Sequence, residues 1–231
     1  MKLHRFIGDF DLSKSEVEIN NPELIKQIKG ILRIEVGEHL VLGDGRGRQA
    51  EVMIETIERD LITTSIVREI PNNDPEKKVS LYLAILKKEN FELAVQKAVE
   101  CGVSMIIPVI TERTVKTGLN ATRLEKIIRE ASEQSERSTV PLLQKTINFE
   151  NALAHGYGSE EKIIFDPESS GCNPNQNTKS ASIFIGPEGG FSEKEIALAR
   201  SAGYTVASLG PLILRGETAA VIATYRIVQG I

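Results

Sequence analysis

The sequence predicts an α+β protein of two modules, a β-rich one over residues 1–70 and an α/β one over residues 79–231. Three observations predict it. Apolar and polar residues alternate with period 2 through much of the first seventy residues, as half-buried strands require. Pro71-Asn72-Asn73-Asp74-Pro75-Glu76-Lys77-Lys78 is polar and punctuated by prolines, so residues 71–78 read as a linker. Beyond it, continuous apolar runs alternate with helical patterns, as in a parallel sheet buried on both faces.

In chain order, the first module has apolar runs at 3–7, 38–42, 49–57 and 61–70. Gly43-Asp44-Gly45-Arg46-Gly47 between two of them is a hairpin signal. One helix is expected near Pro22, a residue tolerated in a first helical turn, with Leu24, Ile25, Ile28 and Leu32 at helical spacing. In the second module, the run at 79–86 suits a buried strand. Phe91, Ala94, Val95 and Ala98 form one helical face, Gly102 closes that helix, and the run at 103–110 completes a β-α-β unit with parallel strands. Thr122 and Glu125 have capping-box spacing ahead of a stripe made by Leu124, Ile127, Ile128 and Ala131. A short strand at 162–165, a polar loop over 166–180 and a second capping box, Ser192 with Glu195, follow. That helix ends before Gly203, and a last helix carries Ala219, Ala220, Ile222, Ala223 and Ile227.

Composition narrows the function classes. Hydrophobic residues make up 41% and charged residues 26%, ordinary for a water-soluble globular chain. No apolar run approaches the roughly 18–20 residues of a membrane span, and the first residues lack the apolar core of a secretory signal. Cys101 and Cys172 make no disulfide framework or metal-ligand pattern, which points to a reducing cytoplasmic setting; Cys101, at a helix end on an apolar face, reads as core. His4, His39 and His155 are scattered, and Ser135, Ser138 and Thr139 lack His and Asp partners for a hydrolytic triad. The net charge of −4 carries no broad basic footprint for nucleic acid, so such a role must rest on local residues.

Two glycine-bearing loops in the last fifth of the chain carry the functional signal. Gly186-Pro187-Glu188-Gly189-Gly190-Phe191 follows a short apolar strand and precedes a helix, as phosphate loops do, but matches neither Walker A nor Gly-x-Gly-x-x-Gly. A tight β-α turn accounts for the same glycines. Leu209-Gly210-Pro211-Leu212-Ile213-Leu214-Arg215-Gly216-Glu217-Thr218-Ala219 places an apolar trio in a loop, which suggests a buried loop or an apolar ligand surface. Glu217 also suits the first turn of a helix. Placed on neighbouring strands, the two loops are expected to build one pocket beyond the carboxyl ends of the sheet, where open α/β sheets bind ligands. Lys87 and Lys88 end a buried strand on that edge, with Arg113, Arg123, Arg129 and Arg137 adding basic character.

Five segments, in order, resemble one family. Gln96-Lys97-Ala98-Val99-Glu100-Cys101-Gly102-Val103 with Pro108 resembles its "QKATELGV…P", and Thr111-Glu112-Arg113-Thr114 its "SERS". Residues 130–138 resemble "EAAEQSGRS", while 186–191 and 209–219 resemble "GPEGGF" and "LGxxILRxETA". His4-Arg5-Phe6 and Ile31-Leu32-Arg33 fit its N-terminal module, so the chain resembles the ribosomal small-subunit methyltransferase E family, a branch of the SPOUT class, along essentially its whole length. The departures are mild: Cys101 stands for a leucine, Glu136 for a glycine, and Gly216 lies at a variable position.

The resemblance implies a PUA-like β-barrel that binds RNA, then a SPOUT α/β domain with a trefoil knot. It implies S-adenosylmethionine as donor, N3 of a uridine in 16S ribosomal RNA as acceptor, and a homodimer; no metal is expected, because neither the His nor the Cys spacing can build a site. Arg215 is then the candidate stabiliser of the uridine anion, and Glu188 or Glu217 accepts the N3 proton or orients Arg215. Donor contacts are expected from Phe165, Gly186, Pro187, Glu188, Gly189 and Gly190. Leu209, Gly210, Ile213, Leu214, Thr218 and Ala219 complete them, with Leu209, Ile213 and Leu214 packing the adenine. RNA contacts are expected from Arg5, Arg33, Lys87, Lys88, Arg113 and Arg137. A SPOUT enzyme acting on a ribose 2′-hydroxyl, or a non-catalytic RNA-binding protein of the same fold, are the alternatives.

Overall fold

The computed structural model describes residues 3–115, 118–169, 171 and 174–231, with the side chain of Lys88 excepted; Cys172 lies outside the described residues. The chain divides into two compact units, one of residues 1–74 with 132–140 and one of 75–131 with 141–231.

The first unit is a five-stranded sheet built from β1 (Arg5–Ile7), β2 (Glu16–Ile19), β3 (His39–Gly43), β4 (Gln49–Ile57) and β5 (Ile62–Ile70). Its order is β1-β3-β4-β5-β2, with β1 parallel to β3 and the other pairs antiparallel. The alternation seen in the sequence is realised: Val17, Ile19, Leu40, Leu42, Val52, Ile54 and Ile62 point into one apolar core. Strand β2 has no counterpart among the predicted runs, since its Glu-Val-Glu-Ile is too short and too acidic to stand out by pattern. The Gly43–Gly47 turn forms as expected, with the Asp44 carboxylate accepting from the Arg46 and Arg48 amides at 2.7 and 3.1 Å.

Helix α1 (Pro22–Lys26) is capped by Asn21 and continues as a π-helical turn over Gln27–Leu32. The wider turn ends at Arg33, an exposed residue in the left-handed region at φ 53°. Residues 132–140 complete this unit. The Ile7 amide donates to Glu133 Oε1 at 2.8 Å, the Gly47 amide to the Ser138 carbonyl at 3.1 Å, and the Val140 amide to the Gly45 carbonyl at 2.9 Å. Gln49 also bonds the Ser138 hydroxyl. Glu136, which stands where the resembled segment has glycine, adopts φ 61°. That conformation costs an L-residue about 1–2 kcal/mol.

The second unit is a parallel sheet ordered β12-β10-β11-β6-β7-β8, with β9 also paired to β7. Its strands are β6 (Lys78–Ala84), β7 (Met105–Ile110), β8 (Leu142–Leu143), β9 (Ile147–Asn148), β10 (Glu161–Phe165), β11 (Ser180–Ile185) and β12 (Thr205–Ala207). The helices are α2 (Lys88–Glu100), α3 (Ala121–Gln134), α4 (Phe149–His155), α5 (Glu193–Ser201) and α6 (Gly216–Gln229), α3 running on into residues assigned to the first unit. Helix α6 packs on α2, β6 and β11. An aromatic cluster lies under the sheet, with Tyr82 and Phe184 stacked at 4.3 Å and Phe149 tying Phe184 to Phe191. Burial raises the Tyr82 and Tyr204 phenols above their ordinary range.

Two local expectations are corrected. Helix α3 is capped by Asn120, whose carbonyl oxygen Oδ1 accepts from the Arg123 amide at 3.0 Å, so Thr122 lies inside the helix. Strands β11 and β12 are not neighbours, because β10 pairs with both. Within residues 71–78, two side chains are buried. Lys77 is buried against Glu161 at 2.7 Å, and the Asp74 side chain is buried against Arg137 at 3.2 Å. Among the described residues, no helix is long and apolar enough to cross a membrane.

Candidate active site

The strand order reverses between β6 and β11: the chain runs from β6 to β7 on one side and returns to β10, β11 and β12 on the other. Crossovers diverging from such a point leave a crevice beyond the carboxyl ends of the strands. A cavity of about 500 Å³ lies there, within the range of small-molecule sites. Lys87 and Asn90 line it from the start of α2, and Phe165, Asp166 and Pro167 from the end of β10. Ile185, Gly186, Pro187, Glu188, Gly190 and Phe191 form the wall after β11; Ile213, Leu214, Arg215, Gly216, Glu217 and Ala219 form the wall before and within α6.

The loop after β11 is fixed by its own turn and by the segments that follow β6 and β7. The Gly190 amide closes on the Pro187 carbonyl at 2.8 Å, a turn that puts Gly190 at φ 68° and so favours glycine. Glu188 Oε1 accepts from the Lys87 amide at 3.2 Å, which satisfies a free donor at the start of α2. Arg113 Nη1 donates to the Gly189 carbonyl at 2.6 Å. The predicted Ser192–Glu195 capping box forms, and its buried carboxylate does more than cap. Glu195 Oε2 accepts from the Ser192 amide and Oε1 from the Glu112 amide, both at 2.9 Å, while the Ser192 hydroxyl meets Glu112 Oε2 at 2.7 Å.

The second loop is held differently. Gly216 opens α6 so close to the sheet that a Cβ there would sit 2.8 Å from Leu86 Cδ2, so glycine permits the approach. Glu217 lies in the first turn, and its Oε2 is buried without a hydrogen-bond partner among the described residues. Arg215 flanks the helix, is exposed, and makes no side-chain cap bond. Leu212 and Ile213 are 75% and 85% exposed.

The expected site residues therefore separate into groups. The cavity collects Arg215, Glu188 and Glu217 with Phe165, Gly186, Pro187, Gly190, Ile213, Leu214 and Ala219. Leu209, Gly210 and Thr218 are absent from its lining, and Gly189 instead lines an adjoining cavity of about 520 Å³ together with Arg113 and Arg200. Of the expected RNA contacts, Arg33, Lys87 and Arg113 are exposed. The side chain of Lys88 lies outside the described atoms. Arg137 is a correction: it is 7% exposed, with its Nε on Asp74, so it is not presented to a ligand. Burial lowers the Arg137 pKa and Asp74 pulls it back up. Arg5 is largely enclosed, with Nη2 3.8 Å from Glu136 and burial lowering its pKa. Sequence reasoning missed Asn90, Asp166, Pro167 and Ile185; the one available signal for Asp166 and Pro167 was their position directly after a predicted strand. Among the described residues there is no His, Cys, Asp and Glu group that could hold a metal.

The geometry agrees with what the chain is similar to. A family model described as an RNA methyltransferase domain matches residues 73–228. The chain is 31% identical over 238 residues to the ribosomal RNA small subunit methyltransferase E of Rickettsia conorii, covering 98% of this chain and 96% of that protein. A crystal structure of a ribosomal RNA small subunit methyltransferase E from Neisseria gonorrhoeae, bound to S-adenosyl methionine, superposes with a TM-score of 0.87 at 28% identity, covering 96% of this chain and 95% of that one. A Legionella pneumophila protein in complex with the same cofactor superposes with a TM-score of 0.86 at 29% identity, covering 99% and 98%.

Proposed function

The chain belongs to the ribosomal RNA small subunit methyltransferase E family, and we propose that it methylates N3 of a uridine in 16S ribosomal RNA. It is a methyltransferase of small-subunit ribosomal RNA, and S-adenosylmethionine is its donor. The observation that carries the proposal for this chain's own residues is the cavity at the strand-order reversal, walled by the Gly186–Phe191 loop and opening beside Arg215.

The residues present fit the donor. Phe165, Ile185, Ile213, Leu214 and Ala219 offer apolar wall to a purine, and Gly186 and Glu188 bring backbone polar groups to the same wall. Glu217 keeps one carboxylate oxygen unpartnered beside the cavity, an arrangement that favours a hydrogen-bond donor brought by a ligand. S-adenosylmethionine, when bound, supplies an electrophilic methyl group on a sulfonium sulfur.

The chain's own task is to orient the acceptor and manage a proton. Uridine N3 must lose its proton to become nucleophilic, leaving negative charge on the flanking carbonyl oxygens. The exposed guanidinium of Arg215 has no side-chain partner among the described residues, so its planar donors are available to that charge. Glu188 is engaged by the Lys87 amide, whereas Glu217 Oε2 is not engaged, which favours Glu217 as proton acceptor and Glu188 as a loop anchor.

The first unit, with its curled sheet, is the RNA-binding PUA-like barrel in this proposal, with exposed Arg33 on its surface. Residues 79–231 are the SPOUT domain, whose C-terminal segment threads a trefoil knot; the placement of β12 outside β10, with α6 returning onto α2 and β6, supports that path. Leu212 and Ile213 are apolar and exposed, which supports a homodimer that covers them. In this proposal the substrate is 16S RNA within a small-subunit particle, and the enzyme works in the cytoplasm. Nucleoside mass mapping of small subunits incubated with enzyme and donor tests the proposal: 3-methyluridine is the expected product, and a ribose-methylated nucleoside or no product overturns it.

A further inference from the structure

Arg113 stands between two jobs. Its Nη1 holds the Gly189 carbonyl at 2.6 Å, and its Cδ and Cβ lie 3.4 and 3.5 Å from where a Gly189 Cβ would sit, so the side chain lies along the loop backbone. The residues on either side of Gly189, Glu188 and Gly190, line the cavity. Fixing the Gly189 carbonyl therefore fixes the turn that shapes one cavity wall. Arg113 is also exposed, and its Nε and Nη2 have no partner among the described residues. A guanidinium is a rigid planar fork of five N–H donors, so one edge is committed to the loop while the other faces solvent.

We propose that Arg113 is a positioning residue that couples the two substrates: Nη1 holds the donor loop while the open edge takes one phosphate of the acceptor RNA. This rests on the assignment of the cavity to the donor and of RNA as acceptor. In the free enzyme the Gly189 bond must restrain a long exposed side chain. A phosphate on the other edge immobilises the same guanidinium and thereby lowers the entropic cost of holding the loop. The coupling is reciprocal by linkage, so RNA tightens donor binding by the factor by which donor tightens RNA binding. One exposed arginine belongs at the low end of such effects, about fivefold.

Equilibrium dialysis of radiolabelled S-adenosylhomocysteine, which transfers no methyl group, reads the coupling directly. The intact enzyme is measured alone and saturated with unmethylated small ribosomal subunits. Parental protein is expected to bind about fivefold tighter with subunits. Arg113→Ala should bind more weakly alone and lose the tightening. Arg113→Lys, a single ammonium that cannot span both partners, should regain much of the affinity alone with a tightening under about twofold. The salt dependence of subunit binding by Arg113→Ala should flatten by roughly one phosphate contact. A purely structural arginine would weaken Arg113→Ala alone yet leave the ratio with and without subunits at the parental value, and that result overturns the proposal, as does a parental ratio of one. Failure of the parental protein to bind the nucleoside at all would instead overturn the assignment of the cavity.

Discussion

The two loops that wall the cavity are built on opposite plans. The loop after β11 is fastened at Glu188, Gly189 and Ser192 to the segments that follow β6 and β7 and to its own helix α5, by bonds to Lys87, Arg113, Glu112 and Glu195. The loop after β12 carries two exposed apolar side chains and an arginine without a cap bond. Shape is thus fixed on one wall, and chemistry is left free on the other. A donor common to every turnover suits a wall held by the protein's own bonds, whereas an anion that forms only on the acceptor needs groups free to meet it.

The contrast is broken most severely at Arg215. Arg215→Ala should lower the single-turnover methylation rate by about 10²–10³, with donor affinity and melting temperature near parental; a fall in all three together would make Arg215 a strut like those on the other wall. Glu217→Gln should cost about 10² in rate, at the lower end for loss of a positioned base. Glu188→Gln should cost under about tenfold, because glutamine still accepts from the Lys87 amide. Comparing the pH–rate profiles of these two variants checks the division of labour, and equal losses would dissolve it.

The fastened wall should fail differently. Glu195→Ala removes the acceptor of two backbone amides, one of them on the buried Ser192. A loss of about 2 kcal/mol is expected, or roughly 4–8 °C in melting temperature, with a weaker donor affinity measured by calorimetry. Smallest of all is the effect of Leu212→Ser with Ile213→Ser on the stability of a single copy, expected within about 0.5 kcal/mol for exposed positions. Sedimentation of that double variant sharpens the contrast, because a shift to monomer shows that a second copy covers the open loop.

How much of this was legible in the sequence depended on the range of the interactions. The β11–loop–α5 segment was readable because its signals are local: an apolar run, a turn of glycines, and Ser192 three residues before Glu195. The π-helical turn was not, since Leu24, Ile25, Ile28 and Leu32 fit a 3.6-residue period and nothing local announces the widening that ends at Arg33. That β10 would lie between β11 and β12 depended on crossover connections, which period and propensity do not encode. Arg137 looked like an available cation because its partner, Asp74, lies 63 residues away in the chain. Glu195 was read as a cap and proved also to be a tie to Glu112, 83 residues distant.

The first unit takes in residues 132–140 as well as 1–74, and this bears on how the protein is made. A nascent chain that has emerged only through Asp74 has its hairpin and its apolar core, yet the Gly47 and Ile7 amides still lack the acceptors that Ser138 and Glu133 bring. At about 5–20 residues per second, synthesis needs several more seconds to supply them. During that interval the strand-rich module is unfinished at the edge carrying β1, and the chain being made next must return to close it. A proteolytic or engineered fragment ending at residue 74 would lack these acceptors, so a single cut in the proline-rich stretch does not release the first unit whole.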